Sequence, residues 1–452
     1  MKLRYFYYSV AFCGVLFQSC QNDEDIIDHN TPPNELDVQL EEALLNASGG
    51  IGKAHYRFPT DLSSIPQDPN NPLTAAKVAL GQLLFHETGM AVDPKLEEGR
   101  FTYSCASCHH AQGGFQACLP QGISEGGRGF GLHGEGRFPN TNYTVADLDI
   151  QPIRTPSALN IAYQTNILWN GQFGATHLNV GTEANWTPGT PKVWNNLGFE
   201  GTETQAIAGM TVHRLNMPES LFLETEYKDL YRAAFGDLDD DTLRSKVYSG
   251  LAIAAYERTI LANEAPFQKW LGGNVTALSN KEKEGAILFF GKAECYTCHN
   301  GPALNSMEFY ALGMNKLDGS GVYLSDPSDE AANLGRGGFT NAAEDRYKFK
   351  VPQLYNLIQS KFYGHGGNFH SVEEVVRYKN KAVPENAQVP TSQLAAGFHP
   401  LALSNAEIDA ITAFIEYGLY DRNLARYVPA SIPSGFCFPN NDPKSAHELG
   451  CQ

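Results

Sequence analysis

The sequence predicts a mainly α-helical protein made of two related domains with long loops. Three observations predict it. The motif Cys-x-x-Cys-His occurs twice, once in each half of the chain. Similar apolar and turn segments surround both copies. Runs with helical period begin at recognisable capping residues, and Gly/Pro-rich stretches separate them.

The chain has 452 residues, enough for two or three domains. Residues 1–19 read as a signal peptide. Lys2 and Arg4 form a short basic region, and residues 5–17 form a mostly apolar run too short to span a bilayer. Leu16-Phe17-Gln18-Ser19-Cys20 resembles a bacterial lipobox, so Cys20 is the expected acylated N-terminus of a lipoprotein. Two or more acyl chains anchor a protein stably to a membrane. The expected location is the outer membrane, facing the periplasm or the cell surface. Residues 20–72 follow as a tether and N-terminal extension, polar to about Pro33 and suited to disorder. The formal net charge of -17 repels nucleic acid and favours encounter with basic partners.

The two motifs are Cys105-Ala106-Ser107-Cys108-His109 and Cys295-Tyr296-Thr297-Cys298-His299. Two thiols three residues apart on a turn can form thioethers to the two vinyl groups of one haem. The next residue then aims its imidazole at the iron. This spacing is the c-type haem attachment signature. A thioredoxin-like redox pair would need a βαβ setting, and a zinc site would need four ligands close together. Two covalently bound haems follow, with His109 and His299 as proximal ligands. Of the other cysteines, Cys437 and Cys451 could staple the C-terminal tail, and Cys118 is left over.

The surroundings repeat. Leu80-Gly81-Gln82-Leu83-Leu84-Phe85 precedes the first motif, and Gly285-Ala286-Ile287-Leu288-Phe289-Phe290 the second. Arg154-Thr155-Pro156-Ser157-Ala158-Leu159-Asn160 follows the first, and Phe349-Lys350-Val351-Pro352-Gln353-Leu354-Tyr355-Asn356 the second. Next come Trp169-Asn170-Gly171 and Gly364-His365-Gly366. The pattern reads as an internal duplication, with haem domains at 73–240 and 241–425 and a tail at 426–452. Ser279 with Glu282, and Ser404 with Glu407, form capping boxes that start helices. The first should run to about Lys292. The second should bury Ile408, Ile411, Phe414, Ile415 and Leu419. Residues 241–262 fit one further helix, with Leu243, Val247, Leu251, Ala254 and Ile260 buried.

With these motifs, and with Leu168-Trp169-Asn170-Gly171, Glu203-Thr204-Gln205-Ala206, Tyr256-Glu257-Arg258-Thr259 and Ser371-Val372-Glu373-Glu374-Val375-Val376, residues 73–425 resemble the bacterial di-haem cytochrome c peroxidase family, which includes the methylamine-utilisation di-haem branch. The resemblance implies two cytochrome c-like haem domains. It implies reduction of hydrogen peroxide to water at the N-terminal haem. Electrons would come from a small cytochrome c or cupredoxin through the C-terminal haem. Trp169 matches the tryptophan that relays electrons between the haems. Gln205 matches a pocket glutamine. The family's pocket glutamate is missing: Asn216 takes its place, and His213 is the nearby group able to move a proton. His133 is the candidate loop ligand of the first iron. Tyr378, Lys379 and Met314 are the candidates for the second, Lys379 standing at the family's ligand position. The family's interdomain calcium is not clearly matched, because Arg154 occupies its asparagine position. Assembly as a homodimer is compatible with this reading. The alternatives are an electron-transfer cytochrome without peroxide chemistry, and a di-haem oxidase of an organic or protein substrate.

Overall fold

The computed structural model describes residues 32–324 and 329–451, so the signal segment and Cys20 lie outside the described residues. Eight helices carry the architecture: α1 (Glu35–Ala47), α2 (Ala75–His86), α3 (Gly201–Val212), α4 (Lys246–Thr259), α5 (Asn280–Phe289), α6 (Val372–Lys381), α7 (Asn405–Ala413) and α8 (Pro443–Leu449). Further helices, among them Tyr227–Phe235, and short helical turns link them. Two small antiparallel ladders pair Gly127–Arg128 with Phe138–Pro139 and Phe309–Tyr310 with Phe349–Lys350. Among the described residues no helix is long and apolar enough to cross a membrane.

Both expected capping boxes form, at Ser279 before α5 and at Ser404 before α7. α5 ends at Phe289 rather than near Lys292. The helix expected over 241–262 is broken. A turn at Asp240–Leu243 stops, and the Ser245 side chain accepts the Tyr248 N–H to begin α4 afresh. Val247 is half-exposed in consequence, while Leu243, Leu251, Ala254 and Ile260 are buried.

The two halves use the same contacts. α2 crosses α4 so closely that a Cβ on Gly81 would lie 1.9 Å from the Ala252 carbonyl oxygen. α5 crosses α7 in the same way, with Gly285 at 1.9 Å from the Ala410 oxygen. One turn further, Phe85 meets Tyr256 at a ring separation of 5.3 Å, and Phe289 meets Phe414 at 5.6 Å. All four rings are buried, each contributing about 2–3 kcal/mol of apolar burial. Asn160 gives its N–H to Ile260 O at 2.8 Å and accepts the Ala262 N–H at 2.9 Å. Asn356 does the same with Leu419 and Asp421, both at 3.1 Å. The second path is one residue longer. A π-turn at Phe414–Gly418 absorbs it.

The chain ends cross over. The N-terminal extension after Pro33 packs onto the fold through α1, where Leu40 and Leu44 join the core. Asp37 on α1 is buried, where it accepts from Trp270 Nε1 at 2.7 Å and pairs with Lys283 on α5 at 2.6 Å. The C-terminal tail covers the first half instead. Ser104, beside the first motif, donates to Pro439 O at 2.9 Å, and Asp442 and Glu448 accept the N–H groups of Gly129 and Phe130. A Cys437–Cys451 disulfide closes the tail, and Cys118 is a buried thiol.

Between α3 and α4, Arg258 makes a two-pronged buried ion pair with Glu203, at 2.8 and 2.6 Å. Its neighbour Glu257 is 6% exposed, and its Oε2 has no partner among the described residues. Burial, and then the charge of Glu203, push this carboxyl up to about 8. The unfolded chain releases that proton near pH 4.3, so the folded state holds the extra proton between about pH 5 and 8 and stability falls as pH rises through that window.

Gly285→Ala should destabilise the fold by about 2–4 kcal/mol, read as a fall in the urea midpoint, because the new methyl meets backbone rather than a movable side chain. The same measurement from pH 5 to 8 should show a falling midpoint that Glu257→Gln flattens. An unchanged slope would remove Glu257 as its source.

Candidate active site

Both Cys-x-x-Cys-His motifs fold into the same turn. Cys105–Ser107 and Cys295–Thr297 each make a single 3-10 turn. The His109 N–H reaches Cys105 O at 3.1 Å, and the His299 N–H reaches Cys295 O at 2.9 Å. The four thiols are unpaired. The rings are handled alike as well. His109 Nδ1 lies 3.2 Å from Phe115 O. His299 Nδ1 lies 3.0 Å from Leu304 O and 3.1 Å from Pro352 O. A carbonyl only accepts, so the proton sits on Nδ1 and Nε2 keeps its lone pair. Burial pulls both imidazoles down to about 4, so both are neutral near pH 7. Free thiols on a turn, next to a neutral imidazole with one bare nitrogen, are the donor set of a covalent haem.

The second motif opens onto an apolar cavity of about 610 Å³, with Cys295, Cys298 and His299 in its wall. Met314, Tyr378 and Lys379 line the same cavity. The Tyr378 hydroxyl is already committed, donating to Leu312 O at 2.6 Å. Lys379 Nζ donates to Gly397 O, and burial lowers its pKa. The Met314 thioether has no proton to commit in this way, and it packs with Phe369, Tyr378 and Phe398.

Trp169 and His365 also line the cavity, at the seam between the halves. The Trp169 indole donates to Arg154 O at 2.8 Å and meets the edge of the His365 ring at 6.4 Å. The seam aligns Trp169 with His365 and Gly171 with Gly367. Ile167 bridges Phe173 as Tyr363 bridges Phe369.

Near the first motif, α3 brings Gln205 and His213 together. They stand four residues either side of Gly209, where a Cβ would be 3.7 Å from both Gln205 Nε2 and His213 Cδ2. His213 Nδ1 is 2.8 Å from Asp149, whose carboxylate is buried. Burial pulls the His213 imidazole down, but Asp149 outweighs it and holds the pKa above its ordinary value. The charge of His213 is felt at His109. Asn216 lies beyond the end of α3 and gives its N–H to Met90 O at 2.9 Å. His133 is exposed. Its carbonyl accepts from the buried His110 ring at 2.7 Å, and no described contact brings its imidazole to His109. Asp149 escaped sequence reading, being 64 residues from His213 with no motif around it.

Calcium does not fit the seam, because the Arg154 guanidinium already occupies the carbonyl oxygens of Phe362, Leu119 and Ala117.

The profile of the family described as di-haem cytochrome c peroxidase matches residues 75–276. Methylamine utilization protein MauG of Methylorubrum extorquens is 29% identical over 80% of this chain and 83% of its own. Cytochrome-c peroxidase IdrP1 of a Pseudomonas species is 28% identical over 86% of this chain and 93% of its own. Among solved structures, a MauG-like protein associated with microbial copper homeostasis shares the fold with a TM-score of 0.56, at 21% identity over 81% of this chain and 97% of that one. With two haem-binding turns of one geometry on this mainly helical frame, the chain matches the di-haem cytochrome c peroxidase family over residues 75–276, and its relatives support an oxidoreductase carrying two covalently bound c-type haems.

Proposed function

We propose that the chain reduces hydrogen peroxide to water at the His109 haem, with electrons entering through the His299 haem. The observation that carries this reading is the line Gln205–His213–Asp149 beside the first motif. One peroxide takes up two electrons and two protons to give two waters, and two haems can store two equivalents. Haem, when bound, supplies the iron for oxygen and the redox equivalents. The protein has to orient peroxide and move a proton from one oxygen to the other. Gln205 offers an amide for the first task. His213 serves the second: Asp149 takes Nδ1, which leaves Nε2 as the nitrogen that gives and regains a proton. Asn216, an amide outside this line, has no proton to relay.

Further parts of the reading rest on sequence with structural support. The twin contacts of Gly81 with Gly285 and Asn160 with Asn356 support one haem domain duplicated, at 73–240 and 241–425. Trp169, at the seam and in the wall of the second cavity, is the relay. Met314 is the favoured second ligand of the His299 iron, because Tyr378 and Lys379 are already engaged. Export as a lipoprotein through Cys20 would place the enzyme at the outer membrane, within reach of a basic donor cytochrome or cupredoxin.

Half-reduced holoprotein mixed with peroxide in a stopped-flow spectrometer should change its Soret band within the first turnover. Gln205→Ala should slow that phase by about 10-fold, and His213→Gln by about 100-fold, the usual scale of a lost proton-transfer group. Asn216→Ala should stay within about 2-fold of the parent rate. The reverse order, with Asn216 critical and His213 indifferent, would return the proton step to the family position.

A further inference from the structure

Two cations are buried at the seam without a carboxylate beside them. Arg154 is 1% exposed. Its Nε donates to Phe362 O at 3.0 Å, and its terminal nitrogens to Leu119 O at 2.6 Å, Ala117 O at 2.7 Å, Ser360 Oγ at 2.7 Å and Gln116 Oε1 at 3.2 Å. Every acceptor is a neutral oxygen. Lys350, 5% exposed, gives its ammonium to Asn166 O at 2.7 Å and to Gln164 Oε1. Neither side chain makes an ion pair among the described residues.

The two sites mirror each other. The Arg154 N–H bonds His365 O at 3.0 Å, and the Lys350 N–H bonds Trp169 O at 2.8 Å. The Arg154 side chain binds Phe362 and Ser360. The Lys350 side chain binds Asn166 and Gln164, which stand at the matching places in the other half. Each cation thus ties its own segment to the loop that carries the other half's ring. Both line the second haem cavity.

Burying an unpaired charge is expensive unless dipoles converge on it. Five oxygens around one guanidinium supply those dipoles, and carbonyl oxygens are the ligands a hard metal cation would choose. Burial brings Arg154 only to about 10, so it stays charged at neutral pH, and brings Lys350 to about 7.

We propose that Arg154 and Lys350 are the resident cations of this seam, positioning Trp169 and His365 between the haems so that no metal ion is needed there. The proposal rests on the di-haem reading, and its test separates the two. Haem is first counted in purified holoprotein by the pyridine-haemochrome spectrum; a count below two defeats the di-haem reading itself. With two haems present, melting followed by circular dichroism should agree within about 1 °C in chelator and in millimolar calcium, and a rise above about 3 °C on adding calcium overturns the proposal. Arg154→Asn leaves the oxygen cradle without its cation. That variant should melt earlier in chelator and recover in part with calcium, while indifference to calcium would make the site ordinary hydrogen-bonded core. Should Arg154→Asn fail to fold, the midpoint potential of the second haem decides. At pH 6, where Lys350 carries its proton, Lys350→Met loses a positive charge from the cavity wall and should lower it, and Lys350→Arg should restore it. An unchanged potential in Lys350→Met would overturn the assignment.

Discussion

An imidazole that is to bind iron must present one nitrogen as a lone pair and give the other away. Both haem motifs meet this constraint with backbone. His109 gives Nδ1 to Phe115 O, and His299 gives it to Leu304 O and Pro352 O. The acceptors come from the segment that follows each motif, so that segment has to curl back under its own histidine. Pro352 O belongs to the second repeat block, so at the second motif that block shares the Nδ1 proton with Leu304, whereas Phe115 O takes it at the first. The helices hold this in place from outside. Glycine at 81 and at 285 lets two backbones come close enough for Phe85 and Phe289 to seal the apolar side.

The long Gly/Pro-rich stretches follow from the same constraint. A haem replaces much of the apolar core a helical domain would otherwise need, so loops can form walls. They are not loose walls here. Buried Glu125 accepts from the N–H groups of Lys95 and Leu96, from the Tyr143 hydroxyl at 3.1 Å, and from Arg214. Asp442 and Glu448 in the tail hold residues 129–131. The loop carrying His133 is therefore gripped by the C-terminal helix, and His133 stays at the surface while His110 fills the interior.

Local rules made part of this legible in the sequence. Capping boxes, helical period and the Cys-x-x-Cys-His spacing are short-range signals, and the elements they mark are present. What escaped depends on contacts between distant residues. Composition ended the polar tether near Pro33 and left the extension after it without a partner; Asp37 is buried there because Trp270 and Lys283 satisfy it, and neither is visible from its neighbours. The break at Ser245 had a local signal, a serine able to cap, hidden inside a pattern that scanned as one helix. For Arg154 and Lys350 the signal was also present. Each stands two residues before the repeated proline, and the repeat made visible a basic residue where an uncharged one would have cost less to bury.

The departures from the family's pattern follow one electrostatic logic. A carboxylate that must shuttle protons near neutral pH has to be raised by burial, away from its ordinary value near 4.3. An imidazole already titrates near neutrality and needs only a partner to fix its tautomer and offset the cost of burial. With Asn216 at the family's glutamate position, the proton carrier in the proposed reading moves to His213, and Asp149 supplies that partner from a different segment. At the seam, Arg154 is surrounded by carbonyl oxygens in place of a counter-charge, and in the proposed reading it stands in for an outside cation. In both places the side chain is held through buried hydrogen bonds, His213 to Asp149 and Arg154 to the loop carbonyls. A pocket built this way depends less on bound metal and more on the packing of the loops that supply the acceptors. The tail grips a different stretch, Ser104 and residues 129–131 around the first motif, and its disulfide closes it there.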